Sequence, residues 1–257
     1  MNIKISTNNF NIPKINFKSG DDKKNVTTPK ESKLEKTPQN DTFEMSVGYV
    51  NDEHGQTNNM MRILSGLKGD LRVSAGDNDI GDEKNKAVHR ATMKFMNVAN
   101  ITATALGNHE LDTTQSDLMD SIEDFDGDIL ATNVKQMELE DEDPEEVKEL
   151  GRAPLIKTLK HSKIVDVKGE KVGLVGASPI DMLDRLTHPN YHNDCSIDEL
   201  EDTIDDIQEE VDKMKEQGVN KIFLLSHLGH QKDQIVAQNT RDIDVIIGGH
   251  THELVKD

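Results

Sequence analysis

Five short apolar runs in this chain, at 46–50, 71–74, 101–106, 221–225 and 244–247, each give way to Asp, His or Asn. The first leads into Asn51-Asp52-Glu53-His54-Gly55, the second into Ala75-Gly76-Asp77, and the third into Gly107-Asn108-His109-Glu110-Leu111-Asp112. The last two lead into Ser226-His227 and Gly248-Gly249-His250-Thr251-His252. Runs of this kind read as buried strands, and the stretches between them carry helical periodicity. Strands alternating with helices give an α/β layered fold, in which ligand sites gather at the carboxyl ends of strands. Taken singly, Gly76-Asp77 is explained as a turn, Asn108-His109 as a helix cap, and His250 and His252 as satisfied polar groups. Five coincidences at strand ends, all of metal-ligand type, point instead to one shared site.

Further strands are predicted at 129–131, 164–167 and 171–177, and helices at 57–68, 85–99, 116–125, 197–217 and 231–239. The clearest helix repeats Ile197, Leu200, Ile204, Ile207, Val211 and Met214 at spacings of three and four, with ten Asp and Glu on its solvated back. Gly218 follows as its stop. Residues 1–43 differ from the rest, being rich in Asn, Ser, Thr and Pro with 8 Lys against 5 Asp plus Glu. They read as a disordered polar tail ahead of one domain over 44–257. An alternative docks Ile3, Ile5, Phe10, Ile12, Ile15 and Phe17 on the domain or on a partner. The acidic run 137–150 reads as a solvated loop or short helix.

Composition removes several classes. A net charge of −19, 3% aromatic residues and no Trp argue against a nucleic-acid partner. The single cysteine, Cys195, permits no internal disulfide and no thiolate metal cluster, and reads as an inert thiol. No apolar stretch reaches membrane-span length, and the N-terminus lacks a secretory core, so no membrane partner and a cytoplasmic location are expected. Walker A, dinucleotide-fingerprint and nucleophile-elbow motifs are missing from the sequence. The stretch from Asp77 to Asp82 fails as a calcium loop, because Asp82 stands where glycine is required. His89, His161, His188, His192 and His230 read as structural.

The series DEHG, GD, GNHELD, SHLGHQKD and GGHTH resembles the five blocks of the calcineurin-like metallophosphoesterases. GNHELD, LSHLG with the following Asp233, and GGHTHE are most similar to the branch of 5′-nucleotidases and 2′,3′-cyclic-nucleotide phosphodiesterases. The likeness spans about residues 44–257 and makes that stretch the catalytic domain.

The resemblance implies an α/β two-sheet sandwich flanked by helices in α-β-β-α layers, with two divalent metal ions at one rim. Asp52, His54, Asp77 and His252 would hold one ion, and Asp77, Asn108, His227 and His250 the other, with Asp77 bridging. Imidazole, carboxylate and amide ligands without sulfur suit Mn, Zn, Fe or Co. Two dications outweigh the charge of Asp52 and Asp77, so an acidic protein can still attract phosphate. A hydroxide formed from a shared water would attack phosphorus in line. His109 would stabilise the transition state or protonate the leaving group, with Asp112 orienting it. The implied substrate is a small phosphate ester, foremost a nucleotide phosphomonoester. A 2′,3′-cyclic nucleotide is the near alternative, and a non-catalytic metal-binding or interaction module the competing class. The spacing from Asp52 to Asp77 is short for the branch. Relatives also continue beyond the equivalent of Asp257, so the fold is expected to be incomplete C-terminally, with a partner chain as one way of completing it.

Overall fold

The computed structural model describes residues 14–18, 42–79, 86–112, 118, 120, 122–136, 159–182 and 195–253. Two sheets lie face to face. The first has the order β1 (Lys14–Lys18), β2 (Thr42–Val50), β3 (Leu71–Ser74), β4 (Ala103–Ala105) and β5 (Asp128–Leu130). β2 to β5 run parallel, and β1 is antiparallel at the edge. In the second sheet, β11 (Val245–Gly248), β10 (Ile222–Ser226) and β8 (Glu170–Ala177) run parallel, with β7 (Ser162–Val167) antiparallel to β8. A separate ribbon pairs β6 (Val134–Gln136) with β9 (Cys195–Ile197).

Three apolar clusters make the layers. Met45, Val47, Leu71, Val73, Ala103 and Leu130 of the first sheet meet Val172, Leu174, Phe223 and Leu225 of the second in the central core. Outside the first sheet, α1 (Thr57–Gly66) and α2 (Lys86–Val98) bury Met60, Met93 and Met96 against Val50, Leu106 and Ile129. Outside the second, α3 (Leu200–Glu216) buries Ile207, Val211 and Met214 against Val175, Ile222 and Leu224, and α4 (His230–Asn239) adds Val236. The alternation along β10 explains its unbroken apolar run: Phe223 and Leu225 point into the sandwich while Ile222 and Leu224 point at the helices. These are the expected α-β-β-α layers.

The two sheets are laced at one corner. Ala131 N–H donates to Lys160 O at 2.8 Å, and Thr132 N–H donates to Gly176 O at 2.9 Å. The approach is so close that a Cβ at Gly176 would lie 2.3 Å from Leu130 Cβ and O. Beyond it, the Asn133 side-chain amide closes a two-way clasp with the backbone N–H and C=O of Ser178, both at 2.9 Å.

Two expectations are corrected. Lys14–Lys18, inside the stretch read as a disordered tail, forms β1, with Ile15 opposite Met45 and Phe17 opposite Phe43. A ladder along the open edge of β2 supplies hydrogen bonds that local composition does not reveal, and it carries β2 back to Thr42. The acidic helix starts at Leu200, not 197, because Ile197 belongs to β9 and pairs with Val134. Of the helix expected over 116–125, residues 118, 120 and 122 are helical. The run 137–150, His188 and His192 fall outside the described residues. Among the described residues, no helix is long and apolar enough to cross a membrane.

Candidate metal centre

Parallel strands put their carboxyl ends on one rim, and the sequence-predicted site residues leave from those ends. The loops after β2, β3 and β4 carry Asp52 with His54, Asp77, and Asn108, and those after β10 and β11 carry His227 and His250 with His252. Hydrogen bonding between the first two loops continues past the strands: Asp52 N–H donates to Gly76 O at 3.0 Å, His54 N–H to Asp77 O at 3.0 Å, and Gly55 N–H to Asn78 O at 2.9 Å. The backbone turns sharply to present these side chains. Asp52, His54, Asp77, His250 and His252 have φ between 48° and 80°, five of the eight non-glycine residues with positive φ among those described. Such left-handed positions cost conformational energy and gather where function requires them.

The side chains converge in overlapping groups. Potential ligand atoms of Asp52, His54 and His252 lie within 4.8 Å of one another, as do those of Asp77, His227 and His250. His252 Nε2 is 3.3 Å from Asp52 Oδ1 and 3.0 Å from His54 Nε2. His227 Nε2 is 2.9 Å from Asp77 Oδ2, while His227 Nδ1 contacts Ala75 O at 2.6 Å, which leaves Nε2 to face the cluster. Burial opposes the charged form of both partners, yet their mutual attraction at this separation holds His227 above and Asp77 below its ordinary pKa. His250 reaches the site through its backbone too, its N–H donating to Asp52 Oδ1 at 2.9 Å.

The donor set fits divalent cations. Asn108 Oδ1 is buried with no hydrogen-bond partner, although an amide oxygen in that position normally has one. The donors at the rim are imidazole nitrogens, carboxylates and this one amide, the chemistry of Mn, Zn, Fe or Co sites. Asp77 belongs to two such groups, with His227 and His250 in one and with His54 and His109 in the other.

His109 sits at the start of a single 3-10 turn, His109–Leu111, and its ring makes a third group with His54 and Asp77. Its Nδ1 is hydrogen-bonded to Asp112 Oδ2. That bond, working against burial, holds the imidazole pKa above its ordinary value. With Nδ1 engaged, Nε2 is the ring nitrogen that remains for another contact.

Two site residues were not anticipated. Glu110, fully buried, accepts hydrogen bonds from the backbone of Gly107, Asp77, Asn78 and Asp79 and from the Asn78 side chain. Burial, with the charge of Asp77 adding to it, pushes its carboxyl up to about 7. The sequence signal was a glutamate inside GNHELD, next to Leu111, with no solvated face to occupy. Asp181, after β8, approaches His250 Nε2 at 3.8 Å. Asp233, quoted with LSHLG, is hydrogen-bonded to Ser226 Oγ under the ends of β10 and β11, and burial raises its carboxyl to about 6. His161 lies 3.8 Å from Glu210, and His230, beside Gln234, lines the cleft next to Asp52 and His252.

A sequence model of the calcineurin-like phosphoesterase family matches residues 45–254. The 5′-nucleotidase of Mus musculus is 34% identical over 163 residues, covering 62% of this chain and 25% of its own length. The probable 5′-nucleotidase of Treponema pallidum is 28% identical over 241 residues, covering 84% of this chain and 38% of its own length. Among solved structures, the 5′-nucleotidase precursor from Thermus thermophilus matches at TM-score 0.62 and 25% identity, over 82% of this chain and 42% of that one. The NAD nucleotidase of Haemophilus influenzae matches at TM-score 0.63 and 24% identity, over 82% and 39%. The chain therefore spans between a quarter and about two fifths of the length of these relatives.

Proposed function

The chain belongs to the calcineurin-like phosphoesterase family, and from that premise we propose that its rim binds two divalent cations and hydrolyses a nucleotide phosphomonoester. The observation that carries this reading is the sharing of Asp77. It stands with His227 and His250 on one side and, through the His54 group, adjoins Asp52 and His252 on the other. Asp52, His54, Asp77 and His252 would hold one cation, and Asp77, Asn108, His227 and His250 the second. When bound, such a pair supplies Lewis-acid polarisation of phosphoryl oxygens and a water of lowered pKa.

The chain's own residues do the rest. His109, with Asp112 on Nδ1, holds a proton at Nε2 for the oxygen of the departing alcohol, and the raised pKa favours that protonated form. A cleft of about 660 Å³, lined among others by Asn51, Asp52, Gln234, Thr251 and His252, opens beside the ligands. Its size is that of small-molecule sites. Relatives named 5′-nucleotidase favour a nucleoside 5′-monophosphate over a cyclic diester.

The test is metal analysis coupled to phosphate release from nucleoside 5′-monophosphates and 2′,3′-cyclic nucleotides in added manganese. Two metal equivalents and monoester turnover that vanishes in Asn108→Ala support the reading. A folded protein that binds metal and turns over neither ester class overturns it in favour of a binding module.

A further inference from the structure

Glu110 is a wholly buried carboxyl group whose two oxygens are taken up by the backbone of two adjoining loops. Oε2 accepts from Gly107 N–H at 2.8 Å and Asp77 N–H at 3.1 Å. Oε1 accepts from Asn78 N–H at 2.7 Å, from Asn78 Nδ2 at 3.3 Å and from Asp79 N–H at 3.4 Å. Three successive amides of the loop after β3 therefore point at a single side chain from the loop after β4. That loop contains Asp77, whose φ of 52° needs outside support. The Asp77 carboxylate is also held at Oδ1, which accepts from His109 N–H at 2.9 Å, while its Oδ2 faces His227 Nε2 at 2.9 Å. No slack remains: a Cβ at Gly107 would lie 2.1 Å from Asp77 Oδ1 and 2.7 Å from Glu110 Oε2.

We propose that Glu110 is the positioning residue of the centre, gathering the amides of Asp77, Asn78, Asp79 and Gly107 so that the Asp77 carboxylate is held where two cations can share it. Glu110 contacts no cation itself. Because Asp77 belongs to both proposed ligand sets, loosening it weakens both positions together. The inference rests on the two-cation reading above. Replacement by glutamine puts an N–H where an acceptor is needed, at one end of the clamp or the other. Replacement by aspartate keeps the carboxyl group but withdraws both oxygens by one methylene.

The experiment compares chelator-stripped wild-type chain with Glu110→Gln, Glu110→Asp and Glu210→Gln. Glu210 on α3 is a second buried carboxylate, outside the clustered ligands and bonded to Ser162 and Lys213. Circular dichroism reports folding, calorimetric titration with Mn²⁺ reports affinity and stoichiometry, and the visible absorption of added Co²⁺ reports ligand geometry. Folded Glu110→Gln and Glu110→Asp should bind both Mn²⁺ ions about 10–100-fold more weakly, with an altered Co²⁺ spectrum. Glu210→Gln should titrate as wild type. Wild-type Mn²⁺ affinity in Glu110→Gln, whatever its melting temperature, overturns the proposal. So does equal weakening in Glu210→Gln, or failure of both Glu110 variants to fold, which would make Glu110 a determinant of the fold and not of the centre. A wild-type chain that binds no Mn²⁺ overturns the two-cation reading instead, and this inference with it.

Discussion

The Nε2 atoms of His54 and His252 face each other at 3.0 Å, brought together across 198 positions of sequence. One must donate to the other, or both must give their lone pairs to something between them. Burial and the neighbouring His109 and His252 rings keep His54 below its ordinary pKa, which favours the neutral form that a cation needs.

Added Mn²⁺ should therefore stabilise the chelator-stripped chain. At a free concentration of about 100 times Kd, the gain from one site is about 2.7 kcal/mol. His252→Ala should remove a large part of the rise in melting temperature, read by thermal denaturation with and without metal. An equal rise in both proteins would count against the His54/His252 pair as ligands.

His109 and Asp77 should separate chemistry from cation binding. His109→Ala is expected to lower kcat on a nucleoside monophosphate by about 10²–10⁴-fold while retaining bound metal. Asp112→Asn should give a smaller loss in the same direction. Asp77→Asn should lose the metal itself. Steady-state kinetics beside elemental analysis of the same preparations makes the comparison, and a metal-free His109→Ala protein would recast His109 as a ligand.

Asp70 ties three segments together: it accepts from Ser46 N–H and Oγ, both at 2.8 Å, and from Lys168 Nζ at 2.6 Å. The bond with Lys168, then those with Ser46, lower its carboxyl to about 2. A carboxyl lowered on folding contributes stability that is fully present above its unfolded pKa, near 4, and is lost as pH falls through about 2. Because the pair is partly solvated, Asp70→Asn should cost only about 1 kcal/mol at pH 7. Urea denaturation at pH 7 and pH 3 should show that difference shrinking at the lower pH.

Ile207, buried under α3, tests packing remote from the rim. Ile207→Ala should lose about 2–5 kcal/mol in urea denaturation and leave Mn²⁺ affinity unchanged in the folded protein.

What the sequence disclosed followed the range of each interaction. The strand at Ile222–Ser226 lies where the apolar run 221–225 placed it, because burial on both faces writes a nearly continuous apolar signature. Asp52, His54, Asp77, Asn108, His227, His250 and His252 stand out at the ends of such runs, and the structure brings them to one rim. β1 and the β6–β9 ribbon were hidden because they exist through pairing with distant chain, as Ile197 shows by leaving the helix pattern it completes. Glu110 was hidden for another reason. Its partners Asp77, Asn78 and Asp79 are backbone amides 31 to 33 positions away, and a backbone donor leaves no trace in residue type.

The tight corner at Gly176 and Leu130 governs more than local packing. Asp52, His54, Asp77 and Asn108 hang from one half of the molecule, and His227, His250 and His252 from the other, so the calibre of the cage is gauged by how closely those halves are moored. A single methyl group introduced at Gly176 would act as a wedge there, and every span crossing the cage would widen in concert without any ligand having been touched.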